Sequence, residues 1–314
     1  MIHLLHHANC ADGFAAACIA HAALSAKNTG EEIRLQPVNY DDRYQTPPFG
    51  SMSPGDQIYY LDYTPPVETI ADLHDLYMGQ LKITIIDHHG SRTQTHVDET
   101  ARQTPRFSSI FDLTHSGAAL TWKHFLPKLS LPRAIELIEW RDLGGAFQDP
   151  HHLNSTPALN LHAGLMRALP STVEAWLPCL EGGPSYISLH AIGERLRYGD
   201  ADIISAAVDP CHWLDIGGHR IPAITGLSAE LVSDACTELL RRYSRASFAA
   251  FWFVNPTTGR ITYGLRSRAP GHPDGHTNVA DIAARLDPPS EGRTGGGGHP
   301  CAAGFSSSDP IPFA

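Results

Sequence analysis

The sequence predicts an α/β protein of two domains, and three observations carry that prediction. In the first half, apolar runs of strand length alternate with helix-like stretches, the pattern of a parallel sheet buried on both faces. Several of those runs end in clusters of Asp and His. Near residues 183–210 the chain changes character, and 314 residues are enough for two separate cores. The expected division is a larger first domain over 1–182, a helical connector over 183–210 and a smaller α/β domain over 211–314.

The elements follow in order. IHLLHH (2–7) is a short apolar run, and DGFAAACIAHAAL (12–24) has the alanine spacing of a helix. IRLQPVNY (33–40), QIYYLDY (57–63) and KITIIDHH (82–89) read as further strands, each apolar until a polar cluster closes it. PVETIADLHDLYMGQL (66–81), with proline near its start, reads as the helix between the last two. Helices are also expected at about 115–128 and 131–141, and HAIGERLRYGDADI (190–203) reads as the connector. Beyond it, HRIPAIT (219–225), SFAAFWFV (247–254) and ITYGLRS (261–267) read as strands. SAELVSDACTELLRRYS (228–244) and NVADIAARL (278–286) read as helices.

Composition narrows the function. A hydrophobic fraction of 42% and a charged fraction of 18% suit a globular protein. No run approaches the ~18 apolar residues of a membrane span, and MIHLLHHANCADG lacks the basic flank and long apolar core of a signal peptide. Six scattered cysteines without a CxxC pair fit reduced thiols and a cytoplasmic location. A net charge of −10 argues against long duplex nucleic acid, whose affinity is built from many Lys and Arg contacts to phosphate. It leaves room for a small phosphorylated substrate, and 19 histidines hint at metal chemistry.

The strongest signal is where carboxylates and imidazoles fall. His6, His7 and Asp12 follow the first strand, and Asp62 ends another. Asp87, His88 and His89 close a third, and Asp142 ends a helix-like segment. In open α/β sheets, ligand sites form beyond the carboxyl ends of the strands. Mixed carboxylate and imidazole donors suit divalent Mn, Fe, Co or Zn, and oxygen-rich sites lean to Mn or Mg. A shared carboxylate can bridge two ions ~3.5–4 Å apart, a pairing used in phosphoryl transfer.

Together these segments resemble the DHH phosphoesterase superfamily. HANCADGFAAA, IYYLDYTPP, IIDHHGS and RDLGG are similar to its four motifs. SGAALTWKHF (116–125) is similar to the helix that follows the third, and GLRS…NVADIAARL…GGGGHPCAAGF to its associated C-terminal domain. The resemblance covers nearly the whole chain in order. It implies a parallel-sheet DHH domain, a smaller C-terminal domain and an active site in the interdomain cleft. It further implies a metal-dependent phosphodiesterase that uses metal-activated water on short oligonucleotides, linear or cyclic dinucleotides, or a nucleotide bisphosphate. Alternatives are a non-catalytic nucleotide-binding sensor and a phosphatase acting on a small phosphorylated compound. No membrane partner is expected.

The resemblance also implies roles. His88 ligates metal, Asp62 bridges, and Asp12 and Asp142 complete one site. His89 contacts the scissile phosphate or assists the leaving group, and Asp87 orients a histidine. Arg266, Ser267, Gly296, Gly297, Gly298 and His299 bind the substrate, the glycine amides and His299 taking its phosphate. Mn2+ is the expected ion, with Mg2+, Co2+ and Zn2+ as alternatives. Many relatives carry two aspartates in the first motif, where this chain has Cys10, a softer donor that leaves one or two ions open. His7 is the preferred ligand of its pair and His6 the alternative. Set aside are His151 and His152 as a surface turn, Trp122 and Trp140 as core, and the arginines of 195–197 and 241–245 as solvated helix faces.

Overall fold

A computed structural model describes residues 1–27, 30–39, 52–89, 106–145, 149, 151–256, 259–268, 270–288 and 295–313. Tyr40, Gly90 and Ser91, which the sequence reading includes in a strand and in the third motif, lie outside them. The chain forms two compact units, Met1–Leu143 with Pro157–Gly193, and Gly144–Thr156 with Glu194–Ala314. Residues 144–156 thus cluster with the second unit, where the sequence reading places them in the first domain.

The first unit contains a parallel sheet of β1 (Ile2–His7), β2 (Ile33–Val38), β3 (Gln57–Leu61), β4 (Lys82–Asp87) and β5 (Phe107–Phe111). Its order is β2-β1-β3-β4-β5, with every pairing parallel. Pro37, which has no amide to donate, sits on the edge strand β2, where one side needs none. Register puts His6, Leu61 and Ile86 in one row across the three central strands. His7, Asp62 and Asp87 are each one residue further along the chain, so three strand ends deliver their polar residues at one edge.

Helix α1 (Ala11–Ala26) is apolar almost all round, and every residue from Ala11 to Ala20 is buried, as expected of a helix enclosed on both sides. Helix α2 (Val67–Leu76) stops short of the predicted Leu81. Met78 and Gly79 turn left-handed (φ 51° and 66°), and the Gly79 amide reaches back to His74 O at 2.8 Å, which closes the helix. Helices α3 (Gly117–Phe125) and α4 (Arg133–Asp142) occupy the predicted stretches. Ser116 caps α3 by accepting from the Ala119 amide. Strand β5 and helices α5 (Ser155–Ala168) and α6 (Val173–Leu180) are additions to the sequence reading. Helix α7 (Gly183–Val208) is longer at both ends than the helical stretch read at 190–203 and spans nearly all of the expected connector 183–210. Gly182 and Gly183 adopt positive φ, and Pro184 then fits the first turn, so GGP starts this helix instead of interrupting it.

The second unit holds a mixed sheet of order β10-β11-β9-β8-β7-β6. Its strands are β6 (His212–Ile216), β7 (His219–Thr225), β8 (Phe248–Val254), β9 (Ile261–Ser267), β10 (Gly297–His299) and β11 (Ala302–Ser307). Only β7 and β8 pair in parallel. Strand β6 is absent from the sequence reading, although Gly217–Gly218, both at positive φ, make the tight turn that pairs it with β7. Residues alternate between faces. Ile224 and Ala249 pack with Ala235, Cys236 and Leu239 of α8 (Val232–Arg242). Ala223 and Ala250 pack with Val279, Ile282 and Ala283 of α9 (Val279–Leu286). Among the described residues, no helix is long and apolar enough to cross a membrane.

Candidate functional site

At the carboxyl edge of the first sheet, the backbone is shaped to bring side chains together. Beyond β1, Asn9 takes a left-handed conformation (φ 53°) before Cys10 opens α1. Gly13 is required there, because a Cβ would stand 2.7 Å from His7 O. Asp62 is also left-handed (φ 55°), a strain of ~1 kcal/mol or more that Asp tolerates better than most residues. Its amide donates to Ile86 O at 2.8 Å, so the turn is held by the neighbouring strand.

Two of the donor groups in the cluster meet at Asp62. His7, Cys10 and Asp62 have their donor atoms within 4.8 Å of one another, as do Asp12, His88 and Asp142. Asp62 Oδ2 lies 3.5 Å from His7 Nδ1, and Asp62 Oδ1 lies 3.1 Å from His88 Nε2. The same His88 nitrogen is 3.2 Å from Asp142 Oδ2 and 3.9 Å from Asp12 Oδ2. His6 is not drawn in. Its Nδ1 donates to His7 O at 3.1 Å, and its ring packs edge-on against Phe14.

Asp87 is fully buried and saturated. It accepts from Thr64 Oγ1 at 2.5 Å, from the His88 amide at 2.7 Å and from His89 Nδ1 at 2.7 Å. It therefore anchors the turn and fixes the His89 ring, with Nδ1 protonated and Nε2 as the outer nitrogen. Sequence reasoning does not single out Thr64, nor the start of α3 as a support. The Ala118 amide donates to Asp12 Oδ1 at 3.1 Å, while Gly117 admits the helix so closely that a Cβ would meet Asp62 Cβ at 2.6 Å. A serine cap before SGAA is a readable helix-start signal; the carboxylate on which that start rests is not.

The charges show what the cluster needs. Burial pushes the Asp12 carboxyl well up, and the negative charges of Asp62 and Asp142 add to it. Asp142 moves the same way, again through burial first. Burial acts against Asp62 too, but hydrogen bonds from His7 and His88 outweigh it and hold that carboxyl well below the usual range. Burial alone would lower His88, yet Asp62 and its carboxylate neighbours raise it to about 11. For His89 burial is likewise overcome, chiefly by Asp87, and its pKa rises to about 9. Burial and the three carboxylates push the Cys10 thiol well up. Asp12 Oδ2 and Asp142 Oδ2 are buried and accept no hydrogen bond among the described residues. Negative charge in excess, orphaned carboxylate oxygens and imidazoles aimed at the same point fit a divalent cation.

In the second unit, register sets His299, Ala302, Arg266 and Ala249 in one row across β10, β11, β9 and β8. Directly paired residues share a face, here the face of α8, where Arg266 Nε donates to Ser233 Oγ at 3.1 Å. Ser267, next along the strand, points to the opposite face, and its hydroxyl donates to Thr277 O at 2.6 Å. That donor is committed within the unit. The glycines form the short strand β10, in place of the loop expected from the sequence. Two of them are demanded by packing: a Cβ on Gly296 would collide with Ala283 O and lie 2.8 Å from Phe305 Cβ, and Gly298 sits at φ 138°. Around Gly297 the space is open.

No protein-family model matches the sequence, and no curated relative matches it. Among solved structures, a DHH-domain protein described as a member of a family of ribosomal proteins is similar over 99% of this chain and 82% of its own, with TM-score 0.56 and 15% identity. RecJ from Thermus thermophilus in complex with Mn2+ is similar over 97% of this chain and 49% of its own, with TM-score 0.49 and 16% identity. A pGpG-specific phosphodiesterase from Vibrio cholerae covers 98% of this chain and 93% of its own, with TM-score 0.45 and 14% identity. The first of these likenesses establishes the fold: the chain has the two-sheet α/β architecture of a DHH-domain protein.

Proposed function

We propose that this chain, with its DHH-domain fold, is a divalent-metal-dependent phosphoesterase that hydrolyses phosphodiester bonds. One observation carries the reading: the donor groups His7–Cys10–Asp62 and Asp12–His88–Asp142 meet at a single carboxylate, which turns one oxygen to each. Divalent cations held there supply the Lewis acidity that polarises a water and a phosphoryl oxygen. Two carboxylates with one imidazole favour Mn2+ at Asp12–His88–Asp142, whereas Cys10 makes its own group the softer of the two.

The chain's residues supply the rest. Asp87 holds His89 Nδ1, so the proton His89 can lend to a phosphate or departing oxygen is the one on Nε2. The neighbouring Asp87 carboxylate favours the protonated form of that ring against the opposing effect of burial. Arg266 and His299 are the proposed phosphate-binding pair, a guanidinium and an imidazole flanking the small side chain of Ala302. Gly297 and Gly298 expose backbone next to His299. Ser267 is left out of the binding set because of its facing and its committed hydroxyl. The substrate class is a short oligonucleotide, a linear or cyclic dinucleotide or a nucleotide bisphosphate, since a net charge of −10 disfavours long polyanions.

The test is product analysis with Mn2+-loaded protein on a dinucleotide, a 5-mer and a longer RNA, a cyclic dinucleotide and adenosine bisphosphate. Metal-dependent release of mononucleotide, absent in Asp62→Ala, is the expected result. Tight binding of one of these without turnover would replace the enzyme by a sensor.

A further inference from the structure

The groups that hold the carboxylates in place extend one step past the cluster. Glu139 and Asp142 lie three residues apart on α4 and so share a helix face. Asp142 reaches His88, whereas Glu139 reaches the residues just before α3. Its Oε1 accepts from His115 Nδ1 at 2.7 Å and from the Ser116 amide at 3.3 Å. Lys123 Nζ stands 2.7 Å from His115 Nε2. An ammonium only donates, so Nε2 accepts and the ring proton is on Nδ1, facing Glu139. Ser116 is fully buried and caps α3, and two residues later the Ala118 amide holds Asp12.

We propose that Glu139 is a positioning residue for the metal cluster: it locks the start of α3 to α4, so that Asp12, held by the one, and Asp142, carried by the other, converge on His88. The proposal rests on the metal-dependent reading above and deepens it. Glu139 itself touches neither metal nor substrate. Its carboxylate satisfies the amide and the imidazole that would otherwise let the α3 start drift. Groups bonded directly to a metal ligand typically govern metal affinity by ~10–100-fold, and Glu139, one contact further out, is expected at the lower end of that range.

Calorimetric titration of the full chain with Mn2+ tests it, alongside thermal melts by circular dichroism. Glu139→Ala is expected to weaken Mn2+ binding about 10-fold. Glu139→Gln, whose Oε1 still accepts from Ser116 and His115, is expected to stay close to wild type. Raising Mn2+ should restore turnover in Glu139→Ala, while the melts show that the variant is already folded at the lower Mn2+ concentration, since metal would also rescue a merely unfolded fraction. If Glu139→Ala does not fold, Glu139→Asp, too short to reach both donors, should show the loss. Wild-type affinity in the folded Glu139 variant, with binding lost in Asp12→Ala, overturns the positioning role and leaves the metal site standing. Wild-type affinity in Asp12→Ala overturns the site reading, and the proposal with it.

Discussion

Replacing Gly117 by alanine sets two physical effects against each other. Helix propensity alone favours alanine by ~0.5–1 kcal/mol. The structure predicts the opposite sign. The new methyl carbon would stand 2.6 Å from Asp62 Cβ, 2.9 Å from Asp12 Oδ2 and 3.0 Å from Asp62 Cα. Carbon atoms rest ~3.5–4.0 Å apart, so α3 must withdraw by about 1 Å. Asp62 cannot give way easily, because its amide is bonded to Ile86 on β4. Overpacking of this kind costs ~1–3 kcal/mol, which after the propensity gain leaves a net destabilisation of about 0–2.5 kcal/mol. The same retreat stretches the 3.1 Å bond from Ala118 N to Asp12 beyond hydrogen-bond range. A misplacement of ~1 Å can reduce turnover about 100-fold. Urea unfolding gives the stability, and Mn2+ titration with product release gives the function. A Gly117→Ala protein that is more stable than wild type and binds Mn2+ unchanged would refute the reasoning.

Two further outcomes are expected. Gly296→Ala, which meets Ala283 O and Phe305 Cβ, should lower stability by ~1–3 kcal/mol, whereas Gly297→Ala, with nothing nearby, should change it by less than ~0.5 kcal/mol; paired urea curves decide between them. Glu238 is depressed to about 2 by hydrogen bonds from Arg241 first and then Arg242, against an opposing effect of burial. A depressed carboxyl stabilises fully above its unfolded pKa of ~4.3 and loses that contribution as pH falls towards the folded value. Glu238→Gln should therefore cost ~1 kcal/mol at neutral pH, discounted for solvent screening around Arg241, and converge on wild type by about pH 2 in acid-range melts.

What the sequence could reveal follows from which interactions are local. Asp62, Asp87 and His88 are legible as a group because strand ends in a parallel sheet face one edge, and here register sets the residues following His6 and Leu61 level with that following Ile86. Sequence alone leaves the choice between His6 and His7 open, since both follow the same apolar run. Packing against Phe14 separates them. The supports are not legible: Thr64 under Asp87, the α3 start under Asp12 and Glu139 under Ser116 are contacts between segments 23 to 106 residues apart. The glycine run shows a different limit. Read as a phosphate loop, it is in part a packing requirement, because Gly296 lies against α9. The Gly217–Gly218 turn is readable in principle, but HWLDI before it lacks the continuous apolar run that marks the other strands.

Asp62 stands between the two donor groups and faces both. Calorimetric titration of Mn2+ into the Asp62→Asn protein, with Asp142→Asn and wild type beside it and folding checked by circular dichroism, addresses this directly. Loss of all Mn2+ binding in Asp62→Asn, against a partial loss in Asp142→Asn, is the predicted result. Wild-type binding in a folded Asp62→Asn protein would contradict it.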